Sequence, residues 1–156
     1  MFISTTTTIS WDGFLNTFDN VATGFKIVGR DRRDDCFPTK ILAINTNTNN
    51  TSWVKITANG IDLICQPTTL VYTTLGPIAA SAITTSHFIQ GFTGTTVYSF
   101  TAGGPSSHST IRTNYNALFS SFAVTANVSY VLTATAYGLR TSVGRYFANR
   151  FLVHDS

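Results

Sequence analysis

Apolar and polar positions alternate with a period of two through much of this chain, in short runs closed by Gly, Pro, Asn or Asp. The clearest run is residues 51–66. Trp53, Lys55 and Thr57 alternate with Val54 and Ile56, Asn59-Gly60 follows, and Ile61, Leu63 and Ile64 resume the apolar pattern. Asn-Gly tolerates the positive φ angles of a type I′ turn, so the spacing predicts a hairpin with strands over 52–58 and 61–66. Residues 40–45 predict a buried strand closed by the turn cluster NTNTNN. Pro67 interrupts pairing, residues 69–74 predict a further strand, and Gly76-Pro77 a turn. The same rhythm predicts strands over 21–29, 78–84, 88–92, 95–101, 122–126 and 128–137, with a loop at 102–109 and short helical stretches at 12–20 and 115–121. In the last strand Val128, Tyr130, Leu132, Ala134 and Ala136 fall on one face. Turn signals recur about every 8–12 residues, the pattern of an all-β antiparallel sandwich, with a single jelly roll the expected form.

Composition strengthens the strand reading. Threonine makes up about a sixth of the 156 residues, glutamate is absent, and lysine occurs three times. β-Branched and aromatic residues fit a pleated surface, whereas the missing residues are those that fill exposed helix faces. Hydrophobic residues form 43% of the chain, enough for one domain over 1–156 and too many for disorder. Residues 1–11 read as an N-terminal strand or arm. Charged residues form only 11%, against roughly 25% in an ordinary soluble domain. A weakly charged Thr/Ser/Asn exterior suits a protein that packs against neighbours. The net charge of +3 is too small to imply nucleic acid by itself. No segment approaches the roughly 20 apolar residues of a membrane span, and the start of the chain lacks the basic and apolar regions of a secretory signal. Cys36 and Cys65 are the only cysteines and read as buried free thiols.

Enzyme chemistry finds little to rest on. All seven acids are aspartates: Asp12, Asp19, Asp31, Asp34, Asp35, Asp62 and Asp155. Asp31, Asp34 and Asp35 interleave with Arg30, Arg32 and Arg33, which predicts mutual neutralisation in an exposed loop. The histidines His87, His108 and His154 lack the spacings that place metal ligands on one element, and His154 reads as part of a loose terminus. No phosphate-cradling glycine loop or nucleophile elbow occurs. No cofactor or metal is expected, and the chain reads as a non-catalytic protein.

The C-terminal stretch carries Arg140, Arg145 and Arg150 interleaved with Tyr146, Phe147 and Phe151. Arginine with aromatics is enriched at protein interfaces and also grips phosphates and bases, so nucleic acid is a weaker possibility here. Residues 41–73 combine a strand ending in Asn, a polar turn, a V-x-I strand, a Gly turn, an I-x-L strand and Gln-Pro. With the stretch FAVTANVSYVLTATAYG, they resemble small single β-sandwich or jelly-roll structural proteins of virus and phage particles: capsid, vertex or decoration subunits. The resemblance implies a virion protein acting through contacts with copies of itself or other virion proteins, and made in the host cytoplasm. Under that reading Phe2, Ile3, Trp11, Arg140, Arg145, Tyr146 and Arg150 are the candidate assembly contacts. A carbohydrate-binding sandwich is the alternative, with Trp11 beside Asp12, or Trp53 near Asn49 and Asn50, as sugar platforms. A small barrel enzyme is the third.

Overall fold

A computed structural model describes residues 2–3, 25–94, 96–99 and 115–155. The described residues form strands β1 (Phe2–Ile3), β2 (Phe25–Arg30), β3 (Cys36–Ala58), β4 (Ile61–Cys65), β5 (Leu70–Thr73), β6 (Gly76–Ala79), β7 (Phe88–Phe92), β8 (Val97–Ser99), β9 (Phe119–Thr141), β10 (Arg145–Ala148) and β11 (Phe151–His154). All pairings are antiparallel, in the order β1-β4-β3-β9-β7-β5-β11-β10-β2-β8, with β6 beside β5. The all-β antiparallel expectation holds.

Two strands of 23 residues dominate. A straight strand of that length would span about 75 Å, roughly twice the diameter of a compact chain of this size, so both must bend. Four register shifts between them, at Ile41/Ala43, Asn47/Asn50, Asn50/Ser52 and Thr57/Ala58, supply the bends. β3 pairs with β2 over Cys36–Lys40 and with β9 from Ile41 onward, so one strand serves two sheets. The main core gathers Ile41, Val54, Ile56, Leu63, Ile89, Leu139, Tyr146 and Phe151. A second cluster gathers Val28, Cys36, Phe92, Phe147 and Leu152.

The hairpin predicted at Asn59-Gly60 is present. Both residues have positive φ, 53° and 70°, and β4 pairs with β3 around them. The NTNTNN cluster does not end a strand. It lies inside β3, where pairing with β9 satisfies the backbone, and Asn49 (φ 61°) takes up the bulge. Residues 122–126 and 128–137 are likewise one strand, for the same reason. Residues 80–82 form a single 3₁₀ turn in place of strand, with Asn127 Nδ2 donating to the Ala80 and Ile83 carbonyls. The helix expected over 115–121 is cut short because Phe119 enters β9. The helix expected over 12–20 and the loop at 102–109 lie outside the described residues.

Trp53 is 1% exposed, and its indole N–H donates to the carbonyls of Leu132 (2.6 Å) and Asn50 (3.2 Å). It is core, so it offers no sugar platform. Cys36 and Cys65 are buried and unbridged. Burial pushes the Cys36 thiol up to about 11 and the Cys65 thiol up to about 12, so neither is a ready nucleophile.

Candidate functional site

The apolar run Phe151-Leu152-Val153 buries β11 between β10 and β5, so the segment that follows is anchored and not loose. The β10–β11 turn uses positive φ at Asn149 and Arg150, and the Asn149 amide donates to the Asp62 carbonyl. The hairpin thereby delivers His154 and Asp155 to the end of β9.

There Asp155 is clasped by one residue. The Thr141 backbone N–H donates to Oδ2 (2.6 Å) and the Thr141 hydroxyl to Oδ1 (2.9 Å). The Asp155 N–H donates to the Gly144 carbonyl at 3.0 Å. The Thr141 hydroxyl also accepts the Gly144 N–H at 3.2 Å, tying the 141–144 turn to the same oxygen. Burial pushes the Asp155 carboxyl above the usual carboxylate range, against the opposing pull of the Thr141 donors and the charges of His154 and Arg140.

His154 is exposed, with its ring stacked on Tyr72 at 6.4 Å between centroids. Its Nδ1 lies 2.8 Å from the backbone carbonyl oxygen of Asp155. With the proton on Nδ1, the imidazole donates to that carbonyl and draws electron density from its carbon. The acceptor is the carbonyl of the peptide bond that links Asp155 to Ser156. One floor below, Tyr146 is buried and its phenol oxygen accepts the Leu139 N–H at 3.0 Å, fixing β9 two residues before Thr141. Burial raises the Tyr146 phenol far above its ordinary range, so it stays neutral.

An open groove of about 800 Å³ runs past this point, lined among others by Arg32, Arg33, Arg140, Val143, His154 and Asp155. β1 pairs Phe2 with Cys65 of β4 and with Tyr137 of β9. Tyr137 and Thr141 are four residues apart on one strand, about 13 Å. Polypeptide at β1 and polypeptide at Asp155 therefore meet the same short length of β9.

The residues singled out as assembly contacts take different places. Phe2 and Ile3 form β1. Trp11 lies outside the described residues. Arg140 is exposed on β9. Arg145 is held within the chain: Nε donates to the Arg30 carbonyl, Nη2 pairs with Asp34 at 3.3 Å, and the guanidinium lies 5.0 Å from the Tyr72 ring centre. Tyr146 is core, and Arg150 sits in the β10–β11 turn. The mutual neutralisation expected of the 30–35 loop is partial, since Asp34 pairs with Arg30 (3.7 Å) and Arg145 while Asp31 accepts the N–H groups of Arg33 and Asp35. His154, Asp155 and Thr141 are the residues that the sequence reading passed over. The available signal was the unbroken apolar run before His154, which marks a buried strand leading straight into a His-Asp pair. Among the described residues, no group of three His, Cys or Asp side chains could hold a metal ion.

By sequence, no family model and no curated protein matches the chain. By structure, it is similar to a DnaB intein from Synechocystis sp. PCC 6803, with TM-score 0.65 and 10% identity over 88% of this chain and 84% of that one. It is similar to a bacterial intein-like domain from Clostridium thermocellum (TM-score 0.63, 12% identity, 88% and 86% covered). A DnaX mini-intein from Spirulina platensis matches with TM-score 0.62 and 16% identity, covering 83% and 81%. At these identities the likeness is one of fold. It overturns the resemblance to virus and phage particle proteins: the solved neighbours are inteins, not capsid, vertex or decoration subunits. The virion role and virion location fall with it, as does the carbohydrate-binding alternative. The expectation of a non-catalytic protein is also corrected, since the solved neighbours are inteins. Alternating strands and sparse charge are common to many all-β folds, so they could not distinguish a shell subunit from this one.

Proposed function

We propose that this chain is a self-processing domain that breaks a bond in its own backbone, the peptide bond between Asp155 and Ser156. The observation that carries this reading is the 2.8 Å approach of His154 Nδ1 to the Asp155 carbonyl oxygen, in a fold similar to inteins. A histidine N–H on a backbone carbonyl polarises the carbon that a nucleophile would attack. The nucleophile at hand is the Asp155 carboxylate, which closes a five-membered ring on its own carbonyl carbon. The ring is a cyclic anhydride. As it forms, the C–N bond to Ser156 breaks and its electron pair stays on nitrogen, which takes a proton from water and leaves as an amine. Water then opens the anhydride and restores Asp155 at the new chain end. Thr141 must first release one carboxylate oxygen. Oδ1 is the one freed most simply, because it is held by a hydroxyl that rotates about a single torsion.

The test is a fusion in which residue 156 is followed by a folded reporter. The expected result is a released reporter beginning at Ser156 and a domain whose intact mass ends at Asp155. Asp155→Ala is expected to abolish release, while Ser156→Ala retains it. A reporter that stays attached to the unaltered domain, or leaves equally from the Asp155→Ala variant, would overturn the proposal.

A further inference from the structure

We propose that Tyr72 is a positioning residue for His154: its ring holds the imidazole in the orientation that brings Nδ1 to the Asp155 carbonyl, and Arg145 in turn fixes the Tyr72 ring. Its consequence for release rests on the cleavage reading; the stack itself does not. The register of three neighbouring strands brings the residues together. Val71 of β5 pairs with Val153 of β11, and Arg145 of β10 pairs with His154. Side chains alternate along each strand, so Val71 and Val153 turn to the main core while Tyr72, Leu152, His154 and Arg145 share the opposite face. Tyr72 is a diagonal neighbour of His154 there, at about 7–8 Å between Cα atoms, which an aromatic side chain can bridge. The rings do so, with centroids 6.4 Å apart and planes 14° from parallel.

The two sides of the contact differ in freedom. His154 is exposed, and an imidazole held only by its own backbone samples three χ1 wells and a broad χ2. The 2.8 Å approach of Nδ1 to the Asp155 carbonyl oxygen needs one combination of the two. Tyr72 is half-buried and packs against the second core cluster, which includes Phe147 and Leu152. The Arg145 guanidinium lies over the same ring, 5.0 Å from its centre, where the ring quadrupole attracts a cation. Arg145 is itself anchored: Nε donates to the Arg30 carbonyl at 2.7 Å, and Nη2 to the Asp31 carbonyl and the Asp34 carboxylate. The turn that begins at Arg30 is thereby linked through Arg145 and Tyr72 to the imidazole. Among the described residues the Tyr72 hydroxyl has no hydrogen-bond partner, so the ring and not the phenol oxygen carries the role.

The experiment compares Tyr72→Leu and Tyr72→Phe in the full chain. Leucine keeps an apolar side chain against the second cluster and removes the aromatic face; phenylalanine restores that face. NMR of the histidine-labelled protein reads the stack without chemistry. In the unaltered protein His154 is expected to show one χ1 rotamer from its three-bond couplings and a ring-to-ring nuclear Overhauser contact with Tyr72. Averaged couplings without that contact would overturn the inference, and this measurement decides it even if Tyr72→Leu fails to fold. In Tyr72→Leu the couplings are expected to average, and in Tyr72→Phe to return; couplings unmoved by leucine would also overturn it. In the reporter fusion, Tyr72→Leu is expected to slow release roughly 10–100-fold, the size of effect that a misplaced reacting group brings, and Tyr72→Phe to recover most of the rate. The slowing is expected to vanish when His154 is already replaced by alanine, because a residue that acts through the imidazole then has nothing to act on. A loss of the same size in both backgrounds would make Tyr72 a structural residue only and overturn the inference. An unaltered fusion that releases nothing would sink the proposed function instead, and the NMR would still decide the stack.

Discussion

Replacing Thr141 by Val removes one oxygen from the centre of the site and keeps the shape of the side chain. That oxygen has two roles: it donates to Asp155 Oδ1 at 2.9 Å and accepts the Gly144 N–H at 3.2 Å. A hydrogen bond to a charged group contributes about 1.5–3 kcal/mol and a neutral one about 0.5–1.5 kcal/mol. Thr141 is buried, but Asp155 is half-exposed, so water replaces part of the first bond. A net loss of about 2–3 kcal/mol follows, or a fall in Tm of about 4–12 °C for a chain of this length. The hydroxyl also favours the ionised carboxylate, so its loss moves the Asp155 carboxyl further above the ordinary range. If the carboxylate is the nucleophile, the pH profile of reporter release shifts to higher pH, and Thr141→Ser returns both quantities toward the original. Differential scanning calorimetry and release rates across pH 5–9 measure the two effects. A Thr141→Val protein that melts within a degree of the original and cleaves with an unmoved profile would refute the reasoning.

Three further outcomes follow from the same geometry. His154→Ala removes the donor to the Asp155 carbonyl and is expected to slow release by roughly 10²–10³ while leaving Tm nearly unchanged, since the ring is exposed; release at an unaltered rate contradicts it. Asp155→Asn tests the raised carboxyl. Because the folded form holds its proton to higher pH than the unfolded value of about 3.9, the unfolded chain ionises first, and the group lowers stability as pH rises through that window. The urea midpoint of Asp155→Asn relative to the original is therefore expected to move upward between pH 4 and pH 7, and a constant gap would contradict it. Gly91→Ala would drive a Cβ into the Phe122 ring, which is itself packed edge-on against Phe151. The overpacking is expected to cost about 1–3 kcal/mol in chemical denaturation, and no change would mean the ring has room to move.

Much of the sheet was legible in the sequence because strand formation here follows local pattern. The Asn59-Gly60 hairpin and β7 were predicted at or near their observed bounds. What local pattern could not show is partnership. The polar stretch 46–51 resembles a turn until β9 is seen opposite it, and the apolar face of residues 128–132 resembles core although Val128 and Leu132 are 51% and 44% exposed. The site was harder still. Thr141 is one of many threonines, and its clasp on Asp155 exists only because the β10–β11 hairpin folds back beside β9. His154 is marked in the sequence only by the apolar run that precedes it, and what its ring does shows only once it is found against a carbonyl.

The β3–β9 ribbon also sets a clock. It joins Ile41 to Thr141 and Val54 to Ser129, positions 100 and 75 residues apart, and such distant zippering is slow compared with local hairpin closure. Thr141 occupies the last rung of that zipper, so its grip on Asp155 comes late in assembly. A newly made chain would thus stay inert until its whole architecture had annealed, and any premature severing of the backbone would be prevented by topology alone.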